Sequence, residues 1–313
     1  MQLRHLRYFV KIVEAGSFSR AAATIHVAQP ALSQQIAELE EELGVGLLHR
    51  SARGVRPTTA GETLYREATA ILQQMEQLPG KVRSAGGDTH GAVNLGMTST
   101  LAALLSGPLM EACRTALPNV MLRFITGHSL LIASRIEART LDFGVVFEDE
   151  QNPIPGFLHY PLVRQRLFLV RRKARHHRQA TISLADMARL PLVMPAHPNV
   201  VRGMLDRAFA DLGLTPTIAV EADTLFSIVS AAHSGAGHAI VPMADLSAMP
   251  GHAALVATPI DPPIWLTAVF LTPADWPLSG AADAVRRLFA GFVRSWLADN
   301  PESGMEWVAS PGP

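Results

Sequence analysis

Cysteine is almost missing from this chain of 313 residues, since Cys113 is the single one. One thiol cannot form an intramolecular disulfide, so a disulfide-stapled fold is excluded. Neither sign of charge is in excess: 27 Lys and Arg balance 27 Asp and Glu, so affinity for a polyanion must come from local groups. The sequence also lacks an apolar run of membrane-spanning length and a basic-then-apolar start. We therefore expect a cytoplasmic protein with no membrane partner.

The length fits two or more domains, and the first of them opens on short helices. A helix predicted over about 3–14 carries one apolar stripe, formed by Leu3, Leu6, Phe9 and Ile12. Gly16 supplies a left-handed stop. An alanine-rich helix over 18–25 and a turn at 26–28 follow. Two short helices joined by a tight turn are typical of a helix-turn-helix DNA reader.

A third helix is predicted to begin at Pro30, whose fixed φ suits a first turn, and to end at Gly44. Its apolar residues recur at spacings of four, three and four: Leu32, Ile36, Leu39 and Leu43. The other face carries the residues predicted to meet DNA: Gln29, Pro30, Ser33 and Gln34. A glutamine amide can pair with the N6/N7 edge of adenine in the major groove. An ordinary antiparallel helix pair with a solvated polar face is the alternative interpretation.

A basic segment follows the third helix. Arg50, Arg53 and Arg56 surround Gly54 in a short stretch that ends at Pro57, which predicts an extended wing. Three guanidinium groups beside a recognition helix would supply sequence-independent affinity for phosphates. The wing therefore favours double-stranded DNA as the partner.

The segment FSRAAATIHVAQPALSQQIAELEEELGVGLLHRSARGVRPTTAG resembles the amino-terminal domain of LysR-type transcriptional regulators. The RYFVKIVEAGS opening and the RGVRPT wing are most similar to the nitrogen assimilation control protein subgroup of that family. The resemblance implies a winged helix-turn-helix domain over 1–57 that binds operators as a homodimer or homotetramer, and it leaves contact with RNA polymerase open. It also implies a sensor for a small effector, although the subgroup resemblance leaves open that no effector acts.

A long amphipathic helix is predicted from Thr58 onward. Its apolar residues alternate spacings of four and three: Leu64, Ala68, Ile71, Met75 and Leu78. This period is typical of a helix that pairs with a second copy of itself, and packing on its own domain is the alternative. Pro79 is expected to break the helix at Leu78. The region 58–90 is thus predicted to be a dimerisation helix with a hinge over 79–90.

After the hinge, short apolar strands alternate with helices, which predicts an α/β sensor domain over 91–299. The proline-bearing segments PLVRQRLFLV and DPPIWLTAVFL predict two crossings between lobes. Lobe I would comprise 91–163 and 268–299, and lobe II 164–267. The expected fold is α/β with an N-terminal all-α winged helix-turn-helix domain, a linker helix, and a two-lobed sensor that resembles periplasmic binding proteins. The Pro/Gly/Ser-rich segment 300–313 is predicted to be a flexible tail.

Thr98, Ser99 and Thr100 follow the first strand of the sensor and open a helix. Hydroxyls and backbone N–H groups at a helix start can hold an anion, so we predict a carboxylate-bearing effector here, with plain helix capping as the alternative. The resemblance implies further cleft residues, namely Ser129, Phe147, His197, Asn199 and Asp223. In open α/β sheets ligands bind where strand ends meet helix starts, which predicts a site between the lobes.

An enzyme or transport receptor built on the same two-lobed domain is the rival hypothesis. No HExxH, GxSxG or paired CxxC motif is present, so the sequence offers no recognisable nucleophile with its base and no metal ligand set. The GxG in SGAGHA precedes a strand instead of following one, which does not fit a dinucleotide site. We therefore expect no catalytic residue, no metal and no cofactor.

Overall fold

The structure is a computed structural model, and it describes residues 1–51, 54–84, 89–173, 180–242, 246 and 251–308. Three helices open the chain: α1 (Leu3–Ala15), α2 (Phe18–Thr24) and α3 (Gln29–Leu43). An antiparallel hairpin of β1 (Leu48–Ser51) and β2 (Gly54–Pro57) forms the wing. The long helix α4 (Thr59–Ser84) then leads to the sensor domain.

The predicted C-terminal ends of the first and third helices are confirmed. Gly16 and Gly44 both adopt the left-handed conformation, with φ of 60° and 69°. Each ends its helix with backbone N–H bonds to the last turn, as a C-terminal glycine does. His26 also has a positive φ, 56°, which reverses the chain between α2 and α3.

The core of the N-terminal domain comes from the predicted apolar stripes. The most deeply buried side chains are Phe9, Ile12, Leu32, Ile36 and Leu39, none of them exposed. Leu3 and Leu43 are 37% and 40% exposed, so the prediction that these two residues face inward is wrong. Leu3 is the first residue of α1 and Leu43 is the last residue of α3.

Helix α4 does not break at Leu78, contrary to the prediction, and the predicted hinge over 79–90 therefore begins too early. Pro79 lies inside the helix, which continues to Ser84. A proline removes one backbone donor, and on a solvent-exposed helix water can bind the carbonyl left without a partner. Residues 85–88 of the predicted hinge lie outside the described residues.

The first half of α4 packs on its own domain. Ala68 is fully buried in a cluster with Leu6 and Val10 of α1, and Leu64 packs against the same cluster. Ala68 is therefore covered by α1 in the single chain and Leu64 is partly covered, so their place in a dimer seam stays a prediction. Ile71, Met75 and Leu78 remain exposed.

The sensor domain alternates strands and helices. Its first part contains β3 (Gly91–Thr98), α5 (Ser99–Ala116), β4 (Val120–Gly127), α6 (Ser129–Glu137), β5 (Phe143–Glu148) and β6 (Phe157–Arg172). There follow α7 (Leu184–Ala188), β7 (Leu192–Met194), α8 (Val200–Ala210), β8 (Ile218–Glu221), α9 (Leu225–Ser234) and β9 (His238–Pro242). The last elements are β10 (Leu255–Pro259), β11 (Trp265–Pro273), α10 (Gly280–Asp299) and β12 (Met305–Trp307).

Strand β6 belongs to both lobes. Its first part pairs with β11 in the lobe I order β4-β3-β5-β11-β6, and from Leu167 onward it pairs with β9 in the lobe II order β6-β9-β7-β8. The first crossing thus lies close to the predicted 163/164 boundary. The second lies earlier than the predicted 267/268, because Trp265 already pairs with Arg166 of β6 in the lobe I sheet.

The C-terminal segment has defined structure as far as Val308, so the prediction of a flexible tail over 300–313 is wrong for residues 300–308. Residues 305–307 form β12, which pairs antiparallel with β6 so that Met305 lies opposite Gln165. Glu306 makes an ion pair with Arg164, and Met305 is buried. The apolar side chains of Met305 and Trp307 account for this strand. The Pro/Gly/Ser-rich composition of the segment did not predict it. Residues 309–313 lie outside the described residues.

No helix within the described ranges is both long and apolar enough to cross a lipid bilayer.

Candidate nucleic-acid interface and ligand cleft

The polar face of α3 is accessible, as predicted. Gln29, Pro30 and Gln34 are exposed and Ser33 is half-buried, on the side of α3 opposite Leu32 and Ile36. Within the helix, the Gln29 Nε2 donates to the Ser33 hydroxyl at 3.3 Å and the Gln34 Nε2 donates to a Glu38 carboxylate oxygen at 3.0 Å. These contacts are local and exposed, so a base edge can replace them at little cost.

The wing is anchored to the helices on both sides. The Glu40 carboxylate accepts hydrogen bonds from the backbone N–H groups of Leu47 and Leu48, at 2.7 and 3.2 Å. On the other strand, the N–H of Val55 donates to the carbonyl of Gly16 at 2.9 Å. The wing is therefore held at a fixed position relative to α3.

The three wing arginines differ in their surroundings. Arg50 stacks over the Phe18 ring, 4.6 Å from its centroid, and lies 3.9 Å from Glu40, although half of its side chain stays exposed. Arg56 is exposed at the middle of β2. Arg53 lies outside the described residues. Of Arg50 and Arg56, Arg56 is therefore the more accessible to a DNA phosphate.

The cleft between the lobes brings together seven of the eight residues predicted to bind an effector. These residues, which all line one cavity, are Thr98, Ser99, Thr100, Ser129, Phe147, Asn199 and Asp223. Lobe I contributes the ends of β3, β4 and β5, and lobe II contributes the starts of α8 and α9. The remaining wall is mostly apolar and includes Leu167, Ile228, Ile240 and Leu266, which sequence reasoning did not single out.

Four helices begin at this cleft, and three of them are capped by side chains. His128 Nδ1 caps α6, the Asn199 carboxamide oxygen caps α8, and the Thr224 hydroxyl caps α9. Among the described residues, no side-chain cap is found at the start of α5. The first N–H groups of α5 are thus the ones left for a ligand, and the helix dipole favours an anion there.

Thr98 has no described hydrogen-bond partner. It is 5% exposed and occupies the cap position of α5, yet its hydroxyl neither caps the helix nor contacts another described polar atom. A buried hydroxyl without a partner costs about 1–3 kcal/mol. Plain capping by Thr98 is therefore the weaker interpretation of this site.

His197 does not line the cleft, contrary to the prediction. Its Nε2 lies 3.0 Å from the Asp206 carboxylate, and 60% of its side chain is exposed. The contact places the imidazole beside α8, on which Asp206 lies. The sequence does not show in which direction a histidine two residues before a capping asparagine points.

A buried arginine fixes the lobe II side of the cleft. Arg202 of α8 donates to Glu221 at 2.7 Å, to Asp206 at 2.9 Å and to the Pro195 carbonyl at 2.9 Å. Burial opposes its charge, but the hydrogen bonds that it donates to Glu221 and Asp206 outweigh that effect and raise the pKa of Arg202. The network ties α8 to β8, so the cap at Asn199 is held in place.

The lobes also touch through an ion pair next to the cleft. Asp149, directly after β5 in lobe I, pairs with Arg207 on α8 in lobe II. The Asp149 side chain is almost fully buried in this contact. An attraction that spans both lobes favours the closed arrangement.

The exposed apolar residues of α4 form a continuous stripe. Ile71, Met75, Leu78 and Val82 recur at spacings of four, three and four, and they are 39%, 39%, 53% and 66% exposed. Val82 extends the predicted seam because the helix does not end at Pro79. A contiguous apolar stripe that is exposed along a helix is typical of an association surface.

Cys113 is buried within the main core of the sensor, and burial raises the pKa of its thiol. A protonated, inaccessible thiol is a poor nucleophile. The structure thus agrees with an inert structural role.

Two family models match the chain. Residues 3–62 match the "Bacterial regulatory helix-turn-helix protein, lysR family" model, and residues 86–293 match the "LysR substrate binding domain" model. Together they cover the reading face, the wing and the cleft.

Whole-chain relatives agree with these matches. The nitrogen assimilation regulatory proteins nac of Klebsiella aerogenes and Escherichia coli K12 are 34% and 33% identical to this chain, covering 96% and 94% of it and 98% and 96% of their own lengths. Full-length OxyR from Pseudomonas aeruginosa has a similar fold, with a TM-score of 0.70 at 23% identity, covering 94% of this chain and 95% of its own. CbnR complexed with its target DNA has a TM-score of 0.68 at 23% identity, covering 94% and 99%.

Proposed function

The chain belongs to the LysR family of DNA-binding transcriptional regulators, and from this we propose that it binds operator DNA as a dimer or tetramer under the control of a small carboxylate. The family consists of regulators and not of enzymes. The observation that carries the DNA-reading part is the polar face of α3, with Gln34 exposed and Ser33 half-buried, beside an anchored wing. DNA as the partner places its action in the cytoplasm.

In this proposal, α3 and the wing have different roles in DNA binding. The polar face of α3 enters the major groove and reads bases, and Arg50, Arg53 and Arg56 bind phosphates. The acidic second half of α3 stays outside the groove, since Glu40 already binds the wing. A mobility-shift experiment with genomic fragments tests the proposal, because a specific complex that resists random competitor DNA would also identify the operator.

We expect Gln34→Ala and Arg56→Ala to impair DNA binding in different ways. Loss of the Gln34 amide should relax base preference at one operator position by about 1–3 kcal/mol. Loss of the Arg56 guanidinium should weaken operator and random DNA alike and reduce the salt dependence by about one unit of slope. Fluorescence anisotropy at several salt concentrations measures both effects.

Gln35→Ala is the matched control, because Gln35 lies one residue, about 100°, further around α3. It should bind operator like the wild type. An equal loss on operator and random DNA for Gln34→Ala would mean that the reading face lies elsewhere on the domain.

The cleft suits a small monocarboxylate with an apolar body. Hydroxyls of Thr98 to Thr100 and the uncapped start of α5 receive the carboxylate, and the wall around Leu167, Ile228 and Leu266 contacts the apolar part. Asp223 is the one acidic side chain in the described lining, and no lysine or arginine lines the cavity there. A second carboxylate near Asp223 would be repelled, which argues against dicarboxylates.

Replacing Ser99 and Thr100 together by alanine should abolish the response to this effector and leave effector-free DNA binding unchanged. Thermal-shift screening of monocarboxylates should find a compound that stabilises the wild type by about 2.7 kcal/mol at a hundredfold excess over its dissociation constant. The double variant should show no such stabilisation.

Ser134→Ala serves as the control, since the Ser134 hydroxyl donates to the Leu131 carbonyl and does not line the cleft. Equal stabilisation of wild type and double variant would remove Ser99 and Thr100 from the site. A screen without any stabilising compound would instead favour a regulator that acts without an effector.

A further inference from the structure

The cleft between the lobes has one acidic side chain and no strong base to balance it. Asp223 is the only carboxylate in the described lining, and neither a lysine nor an arginine is among those residues. Asp223 is exposed, and no hydrogen bond or ion pair joins its side chain to another described residue. Closing the lobes around a purely anionic ligand would enclose two negative charges, whereas an added ammonium group on the ligand would balance one of them.

The position of Asp223 in the chain leaves its carboxylate available. Asp223 lies between the end of β8 and the start of α9, one residue before Thr224. The Thr224 hydroxyl already caps α9, since it accepts the backbone N–H of Ser227 at 3.2 Å. Asp223 is therefore not needed as the cap of this helix, and its oxygens can accept hydrogen bonds from a ligand that enters the cleft.

The opposite wall of the cleft, in lobe I, suits the other sign of charge. Helix α5 is 18 residues long, and its first N–H groups have no side-chain cap among the described residues. Thr98 lines the same cavity, is 5% exposed and has a buried hydroxyl without a described partner. Donors at a helix start hold a carboxylate, so the two charged groups of the ligand face different lobes.

The wall between these two subsites is apolar. Leu167 belongs to β6 and Leu266 to β11, which are the two strands that run between the lobes, and Ile228 of α9 adds a third apolar side chain. An apolar group on the ligand would lose contact with water against this wall and so add to the affinity. The cleft thus offers an anion subsite, a cation subsite and an apolar surface.

We propose that the cleft binds an α-amino acid with an apolar side chain. The inference rests on the proposed carboxylate effector and names its chemical class. The ligand carboxylate binds the first N–H groups of α5 and the hydroxyls of Thr98 and Ser99, and the ligand ammonium group donates to Asp223. The apolar side chain of the ligand packs against Leu167 and Leu266.

Such a ligand links the two lobes directly. An α-amino acid carries both charged groups on one carbon atom, so the starts of α5 and α9 approach each other when both groups are bound. Because α5 belongs to lobe I and α9 to lobe II, the ligand binds the closed arrangement more tightly than an open one and shifts the population toward it. The ion pair of Asp149 with Arg207 acts in the same direction.

Isothermal titration calorimetry of the full chain tests the ligand class. L-valine, L-norvaline, L-leucine and L-phenylalanine are each compared with the acid that lacks the amino group and the amine that lacks the carboxylate. For L-norvaline these analogues are pentanoate and butylamine, which keep the same alkyl chain. The wild type should bind at least one of the four amino acids, and bind its acid and its amine at least about tenfold more weakly.

Asp223→Asn is the informative variant, because asparagine keeps the shape of the side chain and removes its charge. It should weaken amino-acid binding at least about tenfold and bind the matching acid no more weakly than the wild type does. Asp211→Asn is the matched control, since Asp211 is also an exposed acid of lobe II but does not line the cleft. It should bind all probes like the wild type.

The outcomes separate this inference from the proposed carboxylate site. An acid that binds as tightly as its amino acid would overturn the inference and keep the carboxylate site. No binding of any acid or amino acid would overturn both. If Asp223 only complements the positive end of α9, Asp223→Asn would lower the melting temperature and keep the preference for the amino acid, which would also overturn the inference.

Discussion

Ile71→Asp should convert the protein to a monomer and abolish tight operator binding. The substitution places a carboxylate from each copy at the first position of the apolar stripe, and burying such a charge without a partner costs about 3–5 kcal/mol. The dimer dissociation constant should therefore rise at least a hundredfold. Light scattering measures the mass, and a mobility shift measures the accompanying loss of operator affinity, since one half-site reader binds weakly alone.

Ile71→Val is the matched control, because it removes a single methylene and keeps the stripe apolar. It should stay dimeric and bind operator. Circular dichroism should show that Ile71→Asp keeps its helix content, since residue 71 is already 39% exposed in the single chain. A variant that stays dimeric would place the self-association surface elsewhere, for example on the sensor domain.

The dimer proposal depends on the difference in exposure between the two halves of α4. The sequence pattern runs without interruption from Leu64 to Leu78, and periodicity alone cannot show that the surface of α1 already covers Leu64 and Ala68. Exposure rises along the helix, from 39% at Ile71 to 66% at Val82, as α4 leaves the N-terminal domain. The free stripe is thus the C-terminal half of the predicted seam, extended by Val82.

Local signals were the most predictable part of the fold. Gly16 and Gly44 end helices because a left-handed residue favours glycine, and the stripe of Leu32, Ile36 and Leu39 is buried because its spacing matches a helix turn. Such rules involve only neighbours in the chain. They locate the reading face without any knowledge of the rest of the molecule.

Contacts between one element and the next were not predictable in this way. Glu40 is one of several acidic residues on α3, yet it holds the wing by two backbone hydrogen bonds. His197 was predicted to be a cleft residue, yet it contacts Asp206. Each outcome depends on how the chain turns between the two residues, which the residue types alone do not show.

The cleft illustrates how both kinds of information combine. A threonine and serine cluster after a strand predicts a helix start that can hold an anion, but it cannot separate ligand binding from capping. The structure adds that α6, α8 and α9 have side-chain caps and α5 has none among the described residues. That difference between neighbouring helix starts is what favours α5 as the anion subsite.

Gly61→Ala should unfold or displace the DNA-reading domain, because the start of α4 touches the base of the wing there. A Cβ atom at Gly61 would lie 2.0 Å from the carbonyl oxygen of Leu47, far inside any allowed contact. The same carbonyl accepts the N–H of Thr58 at 2.9 Å, and the Thr58 hydroxyl donates to the Gly46 carbonyl and caps Gly61. Backbone lies on both sides of the clash, so no side chain can move aside to relieve it.

The expected cost exceeds the roughly 1–3 kcal/mol typical of an overpacked core, since relief requires separating α4 from the wing. Differential scanning calorimetry should show a lower transition temperature for the N-terminal domain and an unchanged transition for the sensor, together with loss of operator binding. Gly291→Ala is the matched control: Gly291 is also inside a helix, α10, but nothing lies within 4 Å of its Cβ position. That variant should gain about 0.5–1 kcal/mol from helix propensity. If Gly61→Ala instead melts and binds DNA like the wild type, the linker helix does not rest on the wing, and the route from sensor to reading face must pass through α1 alone.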